Sequence, residues 1–213
     1  MGRVGVALAR ANQKLPVQRA AILLASSSLL ASVLGLFRDR LLNSTYYDTY
    51  PVGLDAYRVA FTIPDFMFFL LVSGAISVTF IPIFNERLAH NNRRSAWELS
   101  TSMINFMALV TLIASILIII FADQLVSYVV GPGLSESGHV LATSMMRVIA
   151  INPFLFAIAS VIASIQQAVG RFTFYALAPT IYNIGIIIGL IWFADGIHLF
   201  GITIFEGGIM GVA

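Results

Sequence analysis

Cysteine is absent from this 213-residue chain, and charged side chains are scarce, at 10% of residues. The lack of cysteine excludes disulfide bonds, thiolate metal sites and cysteine nucleophiles. An ordinary soluble domain carries about 25% charged residues, because its surface must face water. The composition therefore excludes a soluble enzyme, a nucleic-acid-binding protein and a disordered chain. The 59% of residues that are apolar indicate a polytopic membrane protein.

Long apolar runs occupy most of the chain. A membrane-spanning helix needs about 20 mostly apolar residues, whereas the strands of a membrane barrel alternate in polarity over about 10 residues. The runs therefore predict an all-α polytopic membrane protein, a bundle of about six transmembrane helices in one domain, 1–213. The last run is too short to cross a bilayer, so we expect a truncated bundle. The predicted helices are 20–37, 56–84, 102–122, 140–168 and 174–194, with the start of a sixth at 202–213.

The basic residues lie mainly on one side of these predicted crossings. Eight of the twelve would share the side of the N-terminus: Arg3, Arg10, Lys14, Arg19, Arg87, Arg93, Arg94 and Arg171. Lys and Arg are enriched on cytoplasmic loops of membrane proteins. The distribution predicts a multi-pass protein of the cell membrane with a cytoplasmic N-terminus.

Three charged residues fall within or beside the second predicted helix. Asp55, Arg58 and Asp65 are spaced by three and seven residues, which places them on one helix face. Charges at membrane depth face a cavity, pair with each other or extend to the interface. Arg58 can therefore pair with Asp55 or with Asp65. Two interpretations stay open: a polar stripe that lines a solvent-filled cavity, or a structural ion pair near the outer interface.

Arg38 and Asp39 stand at the outer end of the first predicted helix. Charged residues at this position are often interface anchors, and Arg38 is also a candidate for contact with a substrate headgroup.

Prolines recur in the predicted helices, at Pro64, Pro82, Pro153 and Pro179. A proline inside a helix removes one backbone hydrogen bond and tends to kink it. Kinked helices are typical of transporters, although proline is also generally more frequent in membrane helices. The pattern favours helices that move.

No enzyme or cofactor motif is recognisable. His90, His139 and His198 fall in predicted loops and form no cluster of metal ligands. We therefore expect a transporter without a cofactor or a metal.

Several sequence blocks resemble the MurJ (MviN) lipid II flippases of the multidrug/oligosaccharidyl-lipid/polysaccharide exporter superfamily. The resemblance extends from about residue 20 to the end of the chain. The blocks are VLGLFRDR at 33–40, DAYRVAFTIPD at 55–65, SGAISVTFIPI at 73–83, GPG at 131–133, GRF at 170–172 and ALAPTIYN at 176–183.

This resemblance implies two six-helix lobes that face each other across a central cavity, of which this chain would be the first. It implies flipping of the undecaprenyl-linked peptidoglycan precursor, lipid II, across the bacterial cytoplasmic membrane by alternating access. The protein would serve peptidoglycan synthesis and cell shape. The implied partners are this lipid-linked cell-wall precursor, membrane lipid and, as a candidate coupling partner, a monovalent ion, with no nucleic acid.

Arg38 and Asp55 match positions that matter for function in that family. With the other charges, the candidates for headgroup contact and gating are Arg38, Asp39, Asp55, Arg58 and Asp65. The chain departs from the family where arginines are usual, at Ser32, Phe68 and Phe69, and where an acid is usual, at Ser73. These departures make the cavity less basic. A related exporter of lipid-linked polysaccharide or a drug cation, and a non-transporting membrane scaffold or partial copy, therefore remain as alternatives.

Overall fold

The structure, a computed structural model, describes residues 14–46, 51–73, 80–192, 197–199, 202–205 and Ile209. Within these ranges the chain is almost entirely helical, which confirms the predicted all-α class. The helices are α1 (Val17–Tyr46), α2 (Pro51–Phe68), α3 (Ile81–Ala89), α4 (Arg93–Leu125), α5 (Glu136–Ile149), α6 (Asn152–Ala168) and α7 (Thr173–Trp192). Short π-helical segments, Phe69–Ser73 and Val126–Val130, extend α2 and α4, and two strands, β1 (Ile197–Leu199) and β2 (Ile202–Phe205), follow α7.

Four helical segments are long and apolar enough to cross a membrane: Val17–Thr45, Arg93–Val130, Glu136–Ala168 and Thr173–Ile191. Their lengths, from 19 to 38 residues, meet or exceed the requirement of a bilayer. The segment formed by α2 is not among the four; it contains Asp55, Arg58 and Asp65 within 18 residues. The structure thus supports a multi-pass helical membrane protein whose second helix is unusually charged.

The helices extend beyond most of their predicted bounds. The predicted helix 20–37 runs to Tyr46, and the predicted helix 102–122 begins nine residues earlier, at Arg93. The predicted helix 140–168 is divided at residues 150–151 into α5 and α6. The predicted helix 56–84 corresponds to α2, its π-helical extension and the first residues of α3, with 74–79 outside the described residues.

Side-chain caps fix two of the helix starts. Asn92 accepts a hydrogen bond from the Ser95 amide (3.1 Å) at the start of α4. Ser135 accepts one from the Gly138 amide (3.3 Å) at the start of α5. Such caps satisfy backbone N–H groups that have no partner within the helix, so a polar residue before an apolar run marks where the helix begins.

Prolines occupy two kinds of position. Pro64 and Pro179 lie inside α2 and α7, where each removes a backbone hydrogen bond. Pro82 and Pro153 lie in the first turns of α3 and α6, where the missing N–H would have no helical partner. Kinks within a helix are therefore expected only at Pro64 and Pro179, while Pro153 follows the interruption between α5 and α6.

Two apolar cores hold most of the bundle together. One core joins α2, α5 and the end of α4, and its fully buried side chains include Met145, Met146 and Val126. Helices α2 and α5 approach closely, since a Cβ at Gly138 would lie 2.9 Å from Val52 Cγ1. The second core joins α3, α4 and α6 around Phe80 and Phe84.

Helices α1 and α7 form a pair beside this group. α1 makes most of its contacts with α7 and far fewer with α2, while α7 makes few contacts with α6. The Leu15 amide donates a hydrogen bond to the Gly170 carbonyl (3.1 Å), so the start of α1 lies beside the turn between α6 and α7. Gly170 has a φ of +81°, a conformation that glycine adopts without strain.

The predicted sixth helix is wrong over residues 202–205. β1 and β2 pair antiparallel there, with Leu199 opposite Ile202 and His198 opposite Thr203. A short apolar run rich in isoleucine fits a strand as well as a helix, and periodicity alone does not separate the two. Apart from Ile209, residues 206–213 lie outside the described part of the chain.

Candidate functional site

A cavity of about 490 Å³ lies between α1, α2 and α7, near the C-terminal end of α1. Four of the five predicted site residues line it, namely Arg38, Asp39, Arg58 and Asp65. Its remaining walls are mixed polar and apolar: Leu42, Asn43, Leu54, Tyr57, Phe61, Tyr182 and Ile186. Four charged residues that stand out in the sequence therefore share one cavity.

Arg38 is held on two sides. Its Nε and Nη2 atoms donate to Asp39 Oδ1 at 3.0 and 2.7 Å, and its Nη1 donates to Asn183 Oδ1 at 3.1 Å. Its side chain is 24% exposed, whereas that of Asp39 is 56% exposed. A guanidinium has five N–H donors, so two remain beyond these three bonds.

Asn183 uses both ends of its amide. Its Oδ1 accepts from Arg38, and its Nδ2 donates to the carbonyls of Ala31 (3.1 Å) and Pro179 (3.0 Å). Asn183 is buried, with 8% of its surface exposed. Because Ala31 and Arg38 belong to α1 and Pro179 to α7, the amide connects the two helices of the pair.

Arg58 is oriented by α1 rather than by an acid of its own helix. Its Nη2 donates to Asn43 Oδ1 at 3.1 Å, and Asn43 Nδ2 in turn donates to the Asp39 carbonyl at 2.7 Å. Among the described residues Arg58 forms no ion pair with Asp55 or Asp65, so the predicted pairing is wrong. Helical spacing brings such groups to one face, but the long arginine side chain reaches across to α1 instead.

The two acids of α2 have different surroundings. Asp65 lines the cavity and has no ion-pair partner within the described residues. Asp55, which like Asp65 is exposed, is not one of the lining residues. The lining thus carries two arginines and two acids, so its formal charges balance.

Aromatic rings form a continuous contact from the body of the bundle to the cavity. Phe68 packs edge-on against Phe156, with ring centres 5.8 Å apart, and Phe156 packs edge-on against Tyr182 at 5.9 Å. On the opposite wall, the rings of Tyr57 and Phe61 lie 4.8 Å apart. Phe68, where the family resemblance leads us to expect an arginine, therefore packs against other rings and adds no charge.

The other departures from the family also add no charge near this site. Ser32 is exposed on α1, and its hydroxyl donates to the Ser28 carbonyl at 2.9 Å. The Phe69 side chain is 68% exposed. The side chain of Ser73 lies outside the described residues.

A second polar cluster lies between the end of α4 and the start of α5, beside a cavity of about 440 Å³. His139 stands in the first turns of α5 rather than in a loop, which corrects the prediction for this residue. Its Nε2 lies 2.7 Å from Ser127 Oγ and 3.7 Å from Asp123 Oδ1. Both partners approach the same ring nitrogen, whereas a hydrolytic triad uses both nitrogens, so the cluster lacks that geometry.

Sequence reasoning missed the neutral partners of the site. Asn43, Asn183, Tyr57 and Tyr182 all contribute to it, but none carries a charge that would make it conspicuous in an apolar run. Asn183 lies in the block ALAPTIYN at 176–183. A buried amide in a membrane helix is itself a signal of a specific interhelical contact.

The helices and the cavity define a multi-pass helical membrane protein with a charge-balanced cavity among its helices. Residues 51–213 match the family model described as "Lipid II flippase MurJ". The chain therefore belongs to the MurJ lipid II flippase family, as its sequence blocks predicted.

Individual relatives agree with this assignment. The chain is 29% identical over 168 residues to "Lipid II flippase MurJ" of Thermosipho africanus, covering 79% of this chain and 34% of the relative. It is 28% identical over 170 residues to "Probable lipid II flippase MurJ" of Buchnera aphidicola subsp. Schizaphis graminum, covering 79% and 32%. For the protein of the same name from Rickettsia prowazekii, the figures are 26% over 182 residues, 84% and 35%.

The chain thus spans about a third of the length of these curated relatives. No solved structure matches it.

Proposed function

We propose that the protein moves lipid II, the undecaprenyl-linked peptidoglycan precursor, from the cytoplasmic to the outer leaflet of the bacterial membrane. Membership of the MurJ family and the names of the relatives support this cargo. The observation that carries the proposal to particular residues is the convergence of Arg38 and Arg58 on one cavity.

The cavity would receive the pyrophosphate of the lipid. Guanidinium groups bind such oxyanions in forked geometry. Arg38 retains two N–H donors after its bonds to Asp39 and Asn183, and Arg58 is steadied by Asn43. With the usual arginines replaced at Phe68 and Phe69, these two residues would supply the positive charge of this cavity.

Transport would proceed by alternating access. Helices interrupted by Pro64 and Pro179 border the cavity, and such interruptions are a recurrent device of transporters. With the N-terminus in the cytoplasm, the cavity at the far end of α1 would lie toward the outer leaflet. Asp65 and Asp55 are the candidates for gating and for interaction with a coupling monovalent ion.

The test is rescue of bacteria depleted of their own flippase by the protein produced from its complete gene. We expect the double variant R38Q/R58Q to lose rescue and to reduce the lipid II that appears in the outer leaflet at least tenfold. The matched control is R94Q, because Arg94 is an exposed arginine of α4 paired only with Glu98, away from the cavity.

The result separates the candidates. Rescue by the double variant at the wild-type level would contradict the site. Failure of the wild-type protein to place lipid II in the outer leaflet, although it is expressed and inserted, would contradict the cargo and favour another lipid-linked substrate.

A further inference from the structure

We infer that Asn183 is a positioning residue: its side-chain amide holds the Arg38 guanidinium in the cavity and locks α1 to α7 at the same level. This inference rests on the proposed function, since it concerns the arginine proposed to meet the pyrophosphate.

The hydrogen bonds around Asn183 determine how its amide is oriented. The oxygen faces an arginine, which can only donate, and the nitrogen faces two carbonyls, which can only accept. The opposite orientation would place NH₂ against a guanidinium and oxygen against two oxygens. The amide is therefore fixed by three partners, and no other neutral side chain of this size supplies both an acceptor and two donors from one planar group.

The local backbone allows this contact. A Cβ at Gly35 would lie 3.8 Å from Asn183 Oδ1, so α1 presents a side-chain-free surface to the amide. Asn183 also stands one turn after Pro179, and its Nδ2 reaches the Pro179 carbonyl at 3.0 Å. The amide thus contacts one backbone carbonyl of each helix.

The consequence for Arg38 concerns direction rather than charge. Asp39 binds Nε and Nη2 from the neighbouring position of the same helix, and its carboxylate is largely exposed. Asn183 binds the remaining nitrogen, Nη1, from a buried position on α7. Without this second partner the guanidinium could rotate together with Asp39. With it, the two unused N–H groups keep a fixed direction.

Substitutions at Asn183 separate positioning from helix packing. Asn183→Asp removes both donors to the carbonyls but also adds a negative charge beside Arg38, so it tests the contact between the helices through thermal stability and not through affinity. Asn183→Leu, of similar size, removes the acceptor and the donors. Thr180→Val is the matched packing control, because Thr180 is buried on the same helix and its hydroxyl has no hydrogen-bond partner among the described residues.

The experiment measures the affinity of the protein, produced from its complete gene and reconstituted in lipid nanodiscs, for undecaprenyl pyrophosphate. Affinity is expressed per folded protein, and thermal stability is recorded in parallel. We expect N183L to weaken binding about tenfold, the scale of one lost hydrogen bond to a charged group. N183D should lower thermal stability, and T180V should bind as wild type. In the R38Q background, N183L should cause no further loss.

Each outcome has one meaning. Wild-type affinity in N183L, together with weak binding in R38Q, overturns the inference and leaves the proposed site in place. An equal loss from N183L with and without Arg38 also overturns it, because Asn183 would then act through packing alone. Wild-type affinity in R38Q overturns the proposed site and this inference with it.

Discussion

At the scale of single residues, an asparagine from another helix holds each of the two arginines of the cavity. Asn183 of α7 binds Arg38, and Asn43 of α1 binds Arg58. A neutral amide orients a guanidinium without cancelling its charge, whereas a carboxylate does both. Of these two arginines, only Arg38 has a carboxylate partner within the described residues, and that partner, Asp39, remains largely exposed.

The balanced charge of the lining makes Asp65 a test of electrostatics. We expect Asp65→Asn to raise affinity for undecaprenyl pyrophosphate by up to about tenfold, because it removes a like charge from a cavity of intermediate dielectric. The matched control is Asp55→Asn, on the same helix but outside the lining, which should leave affinity unchanged. Affinity is measured in nanodiscs at low and high salt. A lower affinity of D65N, or an equal rise in D55N, would contradict this account.

The charged residues of the site could be predicted from the sequence, and their partners could not. A charge in an apolar run is conspicuous because of its cost in lipid, so Arg38, Arg58 and Asp65 stood out in the sequence, and all three line the cavity. The contact between Arg38 and Asn183 joins positions 145 residues apart, and no local spacing encodes it. The same limitation explains the wrong pairing of Arg58 with Asp55 or Asp65.

At the scale of helices and strands, the length and apolar content of the sequence runs were enough to predict most of the helices. The predicted helix starts were less accurate than the predicted helices themselves, because caps such as Asn92 and Ser135 begin a helix before its apolar run. The antiparallel pairing of β1 with β2 was not predicted, because short isoleucine-rich runs are compatible with both helices and strands. Prolines were recognised in the sequence, but their position within a helix was visible only in the structure.

The position of each proline predicts different effects of its removal. Pro64→Ala should restore a backbone hydrogen bond inside α2, raise thermal stability and slow transport at least threefold if α2 bends during the cycle. Pro153→Ala is the matched control, since Pro153 is also fully buried but lies in a first turn, where no bond is missing. Melting temperature and outer-leaflet lipid II are the two measurements. Unchanged transport in P64A would show that α2 does not need this interruption.

At the scale of the whole molecule, two segments that are distant in the sequence meet at one end of the bundle. The start of α1 and the α6–α7 turn lie together, joined by the bond from Leu15 to Gly170. Both segments carry basic residues in the sequence, Lys14 and Arg171 among them. The cytoplasmic position of these segments stays a prediction, and labelling of single cysteines gives it a direct test.

Because these 213 residues contain no cysteine, single cysteines can be introduced into them without first replacing a native one. His90 follows α3 and Ser137 lies in the first turn of α5, and both are exposed. In intact cells, a membrane-impermeant maleimide should label S137C at least fivefold more than H90C, and permeabilisation should remove the difference. Labelling of H90C alone would show that the N-terminus faces outward.

The hydrogen bond from Leu15 to Gly170 fixes α1 at the end opposite the cavity. A small rotation about that end therefore moves the cavity end of the helix by a larger distance. Between Val17 and Arg38 the axis rises about 32 Å, at roughly 1.5 Å per residue. A rotation of the α1–α7 pair by only about 5° around the anchored end would displace Arg38 by nearly 3 Å relative to α2. That displacement is comparable to the 3.1 Å between Arg58 and Asn43, so a minor change of angle would suffice to separate the two sides of the cavity mouth.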